Sequence, residues 1–390
     1  MIDMTKILTG DKFLMSKDKI VMRINFKKGI CAIINDSLLP FQMKGRIKEH
    51  DGKNDIESAI ANSNLLMGFF SSRAVNLNRD NAKAIYNALR WDQNQNTQNL
   101  SEIAILCKGL TIRDNFWLKD ENDKLSWKDV NLREIPIHES LSEIALLGSA
   151  MSLEQLPLSP ETSTFGTYAK CWLREENGLY LHKLGRHGNT ESKIEIMVSN
   201  LLDNMNVPHI TYETGTAHGK ATCKCKCMTH DSLSMMHGME FSKYCVSKKL
   251  DEFSESIRID PEMVFKMAIV DYLISNPDRH EYNWGLFYDP DTMQILGHHP
   301  LYDHNLAFGM ITMANKDIQY RYDGNRTMRG AAKTGMENID FHFYREFTRS
   351  DFMNEAQYAS FSERAMELGI SIKQKQPESE NWHNRYTHPK

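Results

Sequence analysis

The sequence has no apolar run approaching the roughly 18 to 20 residues that span a bilayer; its longest, Asn64 to Phe70, is far shorter, which excludes a transmembrane helix. It also lacks an excess of either charge. Lys and Arg total 47 against 51 Asp and Glu, a formal net charge of −4 with no block of like sign, so no direct nucleic-acid partner and no membrane partner is expected. Met1 to Gly10 carries acidic Asp3 and lacks the basic, apolar and small-residue succession of a secretory leader, so a cytoplasmic location is expected. Seven cysteines, an odd number spread unevenly, fit reduced thiols better than a disulfide framework. No period of 20 to 50 residues repeats, which sets solenoids aside. What is present, 390 residues of which 41% are hydrophobic and 25% charged, suffices for two or three packed domains.

The first third alternates in short stretches, Ile20 to Phe26 and Gly29 to Ile34, then turns helical from Asp80 to Trp91 before a polar gap at Asp92 to Gln98. It is an α+β region without recognisable chemistry. After the Pro-punctuated stretch Pro157 to Pro160 the order becomes informative. Tyr168 to Leu173 and Leu179 to Leu184 read as a hairpin that carries Lys183 inward beside Leu179 and Leu181. Thr190 is the expected N-cap of a helix to about Met205, on which Glu191 and Glu195 lie one turn apart. Strands follow near Ile210 to Glu213 and Ala221 to Met228. Asp260 and Pro261 then read as N-cap and first residue of a helix that ends before Pro277.

The strongest chemical motif is Asn276-Pro-Asp278-Arg279-His280-Glu-Tyr-Asn283, followed by a hairpin (Trp284 to Tyr288, Met293 to Leu296) and then Asp303. Phosphoryl transfer needs a carboxylate for the acceptor hydroxyl and oxygen ligands for Mg²⁺, and Asp278, Asn283 and Asp303 supply such a set. Asx residues also favour turns for their own sake. A buried strand lysine needs a carboxylate partner, and Lys183 with Glu195 fits the pair that orients ATP phosphates in protein kinases. The hydroxyl-rich loop Ser163-Thr164-Phe165-Gly166-Thr167-Tyr168-Ala169-Lys170 could cap phosphate oxygens, although it is neither a Walker A loop nor a G-x-G-x-x-G loop.

Taken in order, these motifs resemble the HipA-like serine/threonine kinases of bacterial toxin–antitoxin systems over about Ser159 to Phe308, and more loosely to residue 372. The resemblance implies an α+β, bilobal, protein-kinase-like fold with an additional N-terminal α+β region. Its parts are an extension over 1–150, an N-lobe over 151–250, a mainly helical C-lobe over 251–372 and a mobile tail over 373–390. It implies ATP and Mg²⁺ as cofactors, with Ser163, Thr164, Phe165, Gly166, Lys170, Lys183 and Glu195 around the phosphates. Lys226, Cys227 and Met228 form the hinge, and Tyr302 stacks on adenine. The resemblance implies Asn283 and Asp303 as the metal ligands, and Asp278, Lys183, Arg279 and His280 are expected to be catalytic. Ser163 can be autophosphorylated in the family; Tyr168 stands where many members carry glutamine. The N-terminal 150 residues, with Gly109 to Asn131 as their most distinctive stretch, resemble an extension seen in Gram-positive relatives. The expected partners are ATP, a Ser/Thr protein substrate and an antitoxin protein.

Two other function classes fit parts of the sequence. A nucleotide-binding pseudokinase regulator would keep the same ligands. A metal-dependent hydrolase or nucleic-acid-binding module would use Cys223-x-Cys225-x-Cys227 with His230 and His237, or the cluster His298, His299, Asp303 and His304. Lys316 to Lys333, with Arg321, Arg326 and Arg329, occupies the place of an activation or substrate-docking segment and reads otherwise as a solvated basic loop.

Overall fold

The computed structural model of the chain describes residues 9–27, 30–51, 56–89, 100–153, 157–309, 317–373 and 386. Trp91, the polar gap at 92–98, Lys316 and, apart from Tyr386, the tail beyond Lys373 lie outside the described residues.

The N-terminal region begins with β1 (Lys12–Ser16) and β2 (Lys19–Asn25), an antiparallel hairpin turned by Lys17 and Asp18, with Lys17 in the left-handed region at φ 51°. β3 (Ile30–Ile33) and β4 (Phe116–Asp120) flank it, giving the sheet order β3-β2-β1-β4. Among the described residues five α-helices belong to this region: α1 (Ile56–Ser71), α2 (Ala82–Ala88), α3 (Leu100–Leu106), α4 (Trp127–Val130) and α5 (Glu139–Leu147). A buried Arg73–Asp114 ion pair, 2.5 Å between Nη2 and Oδ1, holds the end of α1 against the approach to β4.

The second sheet, in the order β5-β6-β8-β7, is built from β5 (Lys170–Glu175), β6 (Gly178–Lys183), β7 (Glu213–Ala217) and β8 (Lys220–Lys226). Against it lies α6 (Thr190–Asn204), buried along Ile194, Glu195, Val198, Leu201 and Leu202. The N-cap of α6 is Asn189, in the left-handed region at φ 66°, and not Thr190, whose hydroxyl donates instead to the carbonyl of His187. β5 starts two residues later than the alternation predicts, and the Tyr168 ring lies under the Arg186 guanidinium at 4.7 Å. The next strand similarly starts at Glu213 in place of Ile210, because Ile210 and Tyr212 are drawn into the core behind Cys223 and Cys225.

The third sheet, β11-β10-β9, comprises β9 (Ser234–His237), β10 (Gly285–Tyr288) and β11 (Ile295–His298). Against it pack α7 (Gly238–Lys248) and α8 (Glu252–Ile259), followed by α9 (Pro261–Leu273), on which α10 (Met328–Asn338) and α11 (Glu355–Leu368) pack. Asp260 caps α9 by accepting from the Met263 amide, and Pro261 occupies the first turn, as the sequence predicts. Apart from the Glu262–Lys266 pair, α9 is buried from Met263 to Leu273, and Asp271 is fully buried within it. One apolar cluster runs continuously from Leu14, Phe70 and Leu141 through Val198 and Leu201 to Phe241 and Ile269. Residues on either side of position 150 therefore share a core. Tyr386 is buried against Phe287, ring centroids 4.9 Å apart. Among the described residues no helix is long and apolar enough to cross a membrane.

Candidate active site

β6 ends with Lys183 turned into a cleft of about 600 Å³ between the second and third sheets. Its ammonium donates to Glu195 Oε1 at 2.7 Å, to Asp303 Oδ1 at 2.9 Å and to the Tyr212 hydroxyl at 2.9 Å. Burial alone would lower the lysine; the carboxylates of Asp303 and Glu195 overcome it and hold the ammonium well above its ordinary value. Asp303 shows the reverse balance: burial would raise it, but Lys183 and then Lys170 keep it below the usual carboxylate range. Glu195 also accepts from the His304 amide at 3.0 Å through its second oxygen. Glu191, the other acid on α6, reaches His187 at 3.1 Å.

The loop from Asn276 to Asn283 faces this cluster. Arg279 is fully buried and forms a two-pronged pair with Asp271, 2.9 Å on each arm, while its remaining nitrogen donates to the carbonyls of Asn283 and Tyr302. Asp271 also accepts from Asn276 at 2.8 Å and from the Tyr320 hydroxyl at 2.7 Å. Arg279 thus braces the loop from behind. His280 accepts the Tyr282 amide at Nδ1, which leaves Nε2 carrying the proton on the side of Asp278, 3.7 Å away. Asp278 lies in the cleft, its carboxyl raised by burial against the opposing pull of His280 and Arg321, and Arg321 donates to it at 2.9 Å. The Asn283 side-chain nitrogen donates to the Asp278 carbonyl at 2.8 Å.

Ser163, Thr164, Phe165 and Gly166 line the cleft, but the Ser163 and Thr164 hydroxyls turn back to the Pro160 carbonyl at 3.4 and 2.6 Å. The Phe165 ring stacks on Tyr282, centroids 4.6 Å apart. Gly166 takes φ +98°, and a Cβ there would fall 2.2 Å from Lys170 Nζ. The Lys170 ammonium donates to the Phe165 carbonyl at 2.9 Å, and burial followed by the nearby Lys183 pushes its pKa down to about 7. At the expected hinge, the Lys226 side chain is exposed and lies beside Gly178, and the Cys227 amide is used by the Leu179 carbonyl at 2.8 Å. Met228 is intermediate in exposure and lines the cleft with Tyr302, whose hydroxyl donates to the Tyr282 carbonyl at 2.7 Å.

Lys183, Asp303, Asp278 and Asn283, spread over 120 residues, therefore line one cleft, and Glu195 lies behind Lys183, out of the cleft. Four contributors escaped sequence reasoning. Tyr212 completes the shell of Lys183. Asp271 anchors Arg279, and its one sequence signal is a lone acid in the apolar run Met267 to Ile274. Ile112 and Arg113, from the N-terminal region, line the cleft near Met228, where the Ile112 carbonyl accepts from Thr229 at 2.5 Å and Arg113 bridges Glu240 at 3.3 Å.

The cysteine and histidine clusters do not converge. Cys223 and Cys225 are buried, their thiols raised by that burial to about 11 and about 12, and the Cys227 thiol turns to Thr229. His298 meets the Ser256 hydroxyl at 3.0 Å, and His299 meets the Pro300 carbonyl at 2.9 Å. Among the described residues no group of three or more His, Cys, Asp or Glu side chains forms a metal site.

No family model matches the chain, and no curated protein matches it significantly. Solved structures do. The HipA–HipB–operator DNA complex of a toxin–antitoxin system from Shewanella oneidensis MR-1 is similar over 92% of this chain and 88% of that one, with a TM-score of 0.52 at 11% identity. The proinflammatory kinase CtkA of Helicobacter pylori is similar over 52% of this chain and 92% of that one, with a TM-score of 0.38 at 14% identity. The fold is thus the mixed, bilobal, kinase-like fold of HipA.

Proposed function

We propose that the chain is an ATP-dependent protein kinase of HipA type, which moves the γ-phosphoryl group of ATP to a Ser or Thr hydroxyl of a protein. The observation that carries this is the contact of one buried ammonium, Lys183, with a helix carboxylate at 2.7 Å and a loop carboxylate at 2.9 Å, across the cleft from Asp278. In this reading Lys183 and Lys170 face the phosphates, Met228, Ile112 and Tyr302 enclose the base, and Asp278 accepts or orients the hydroxyl for in-line attack. His280 lies beside the Asp278 carboxyl at 3.7 Å, and Arg279 fixes the loop.

The donors suit a hard cation. Asp303 is held ionised, and Asn283, having committed its nitrogen to Asp278, has its carbonyl oxygen as the remaining donor. Mg²⁺ held by these two would neutralise charge on the phosphates. By analogy with the HipA–HipB complex, an antitoxin-type protein partner is proposed, together with a cytoplasmic location for this chain.

The Arg321 contact with Asp278 supports a second reading, a nucleotide-binding regulator that performs no transfer, because the carboxylate is occupied by a cation of its own chain. Radiolabelled ATP with the purified protein and a cell lysate separates the two. Transfer that disappears in Asp278→Asn, with ATP binding retained, is the expected result. Binding without transfer in the unaltered protein favours the regulator, and undiminished transfer by the variant refutes the role of Asp278.

A further inference from the structure

The phosphate-facing loop is shaped from outside its own lobe. Its carbonyls are taken up one after another by the segment Val75 to Asp80 of the N-terminal region. The Val75 amide donates to the Thr162 carbonyl at 3.0 Å, and the Asp80 amide donates to the Thr167 carbonyl at 2.7 Å. Between them Arg79, 3% exposed, spreads its guanidinium over three more, donating to Glu161 at 3.4 Å, to Thr164 at 3.3 Å and to the Lys170 carbonyl. Its charge is met by the buried Glu161 carboxylate at 3.6 Å, whose other oxygen accepts from the Trp172 amide at 2.6 Å. On the outer side Asp80 pairs with Arg186 at 2.6 Å, and the Tyr168 ring lies under that guanidinium.

We infer that Val75 to Asp80 is a fixed template for the phosphate loop and that Arg79 is the positioning residue for the phosphate end of the nucleotide. This rests on the nucleotide reading above. The planar fork of arginine can serve carbonyls lying in several directions at once, which a single ammonium cannot. With these five carbonyls turned toward the template, and the Thr162 and Ser163 amides donating to the Ser159 and Pro160 carbonyls, the N–H groups from Thr164 to Tyr168 are the ones left for phosphate oxygens. The N-terminal region, which sequence reasoning left without an activity, is on this account part of the phosphate site.

The test compares adenosine with ATP by calorimetry and follows amide hydrogen exchange over 162–168, in the full chain and in Arg79→Lys. Faster exchange in the loop is expected, with ATP affinity reduced roughly tenfold and adenosine affinity little changed, the scale of one charge-assisted contact network. Asp80→Ala, at a half-exposed position that does not threaten folding, should show the same split in weaker form. Unchanged exchange in both variants, or equal losses of ATP and adenosine, would overturn the inference. If the unaltered protein binds no ATP while loop exchange still rises in the variants, the nucleotide reading fails and the template stands.

Discussion

Replacing Lys183 with methionine should damage the fold before it reveals anything about chemistry. The variant leaves Glu195, 1% exposed, beside the largely buried Asp303 with no cation between them. Removing one partner of a buried ion pair costs about 3 to 5 kcal/mol, because the survivor loses its compensation while remaining out of water. Against a typical stability of about 5 to 15 kcal/mol, that is a third or more of the total. Urea unfolding followed by tryptophan fluorescence at pH 5.5 and pH 8 measures it. In the unaltered protein Asp303 titrates below its ordinary range, so its contribution is present at neutral pH and is lost only in strong acid. In the variant a carboxyl without its cation titrates above that range, so stability should fall as pH rises from 5.5 to 8. Adding Glu195→Gln removes one charge, and the new amide can donate to Asp303 while its oxygen still accepts from His304, so most of the loss should return. A single variant within about 0.5 kcal/mol of the unaltered protein at pH 8, the range of ordinary surface substitutions, would refute the claim that the three groups form one desolvated cluster.

Asp271→Asn should cost a similar amount, about 3 to 5 kcal/mol by denaturant unfolding, because it leaves the Arg279 guanidinium buried against a neutral amide; full stability would show that the pair is dispensable. Lys170, with a pKa near 7 against its ordinary 10.5, should take up close to one proton when ATP binds at pH 8, seen as a dependence of the calorimetric heat on buffer ionisation enthalpy. The same shift makes stability rise with pH between about 7 and 10.5, where the unfolded chain holds the proton and the folded chain does not. Arg321→Gln removes a cation that lowers the Asp278 carboxyl, so the acid limb of the pH–rate profile should move to higher pH; a shift to lower pH would contradict the contact.

Much of the cleft was legible because its residues sit where local rules are strong. Lys183 is carried by an alternating strand, Glu195 by a helix with apolar positions at helical spacing, and Asp278 by a Pro-started loop ahead of an apolar strand. Their order along the chain survives folding, so a linear reading can join them. Boundaries were less readable where tertiary contacts outbid propensity. Asn189 supplies the left-handed residue that opens α6, and its side chain accepts from the Gly185 amide at 2.7 Å, so Thr190 is drawn into the first turn. Arg79 was invisible for a different reason. Its acceptors are backbone carbonyls as far as 91 positions away, and a carbonyl carries no residue identity that a sequence pattern could register. Asp271 could have been suspected from the cost of a carboxylate in an apolar helix, but nothing short of the structure names Arg279 as its partner.

The two buried charge clusters are joined by three consecutive residues. The Tyr302 carbonyl accepts from Arg279 at 3.2 Å, the Asp303 carboxylate pairs with Lys183, and the His304 amide donates to Glu195 at 3.0 Å. Asp303 holds φ at +62°, a left-handed conformation that a non-glycine residue adopts only at a cost, and here contacts on both sides fix it. A loop displaced on the Asp271 side therefore moves the Tyr302 carbonyl, and the same rotation of backbone swings the carboxylate that Lys183 requires. In a structure of this kind the alignment of Lys183 with the Asp278 loop across the cleft does not depend on either lobe alone. It depends on a short segment whose three residues each bind a different charged side chain, which is why removing a charge from either cluster should be felt in the other.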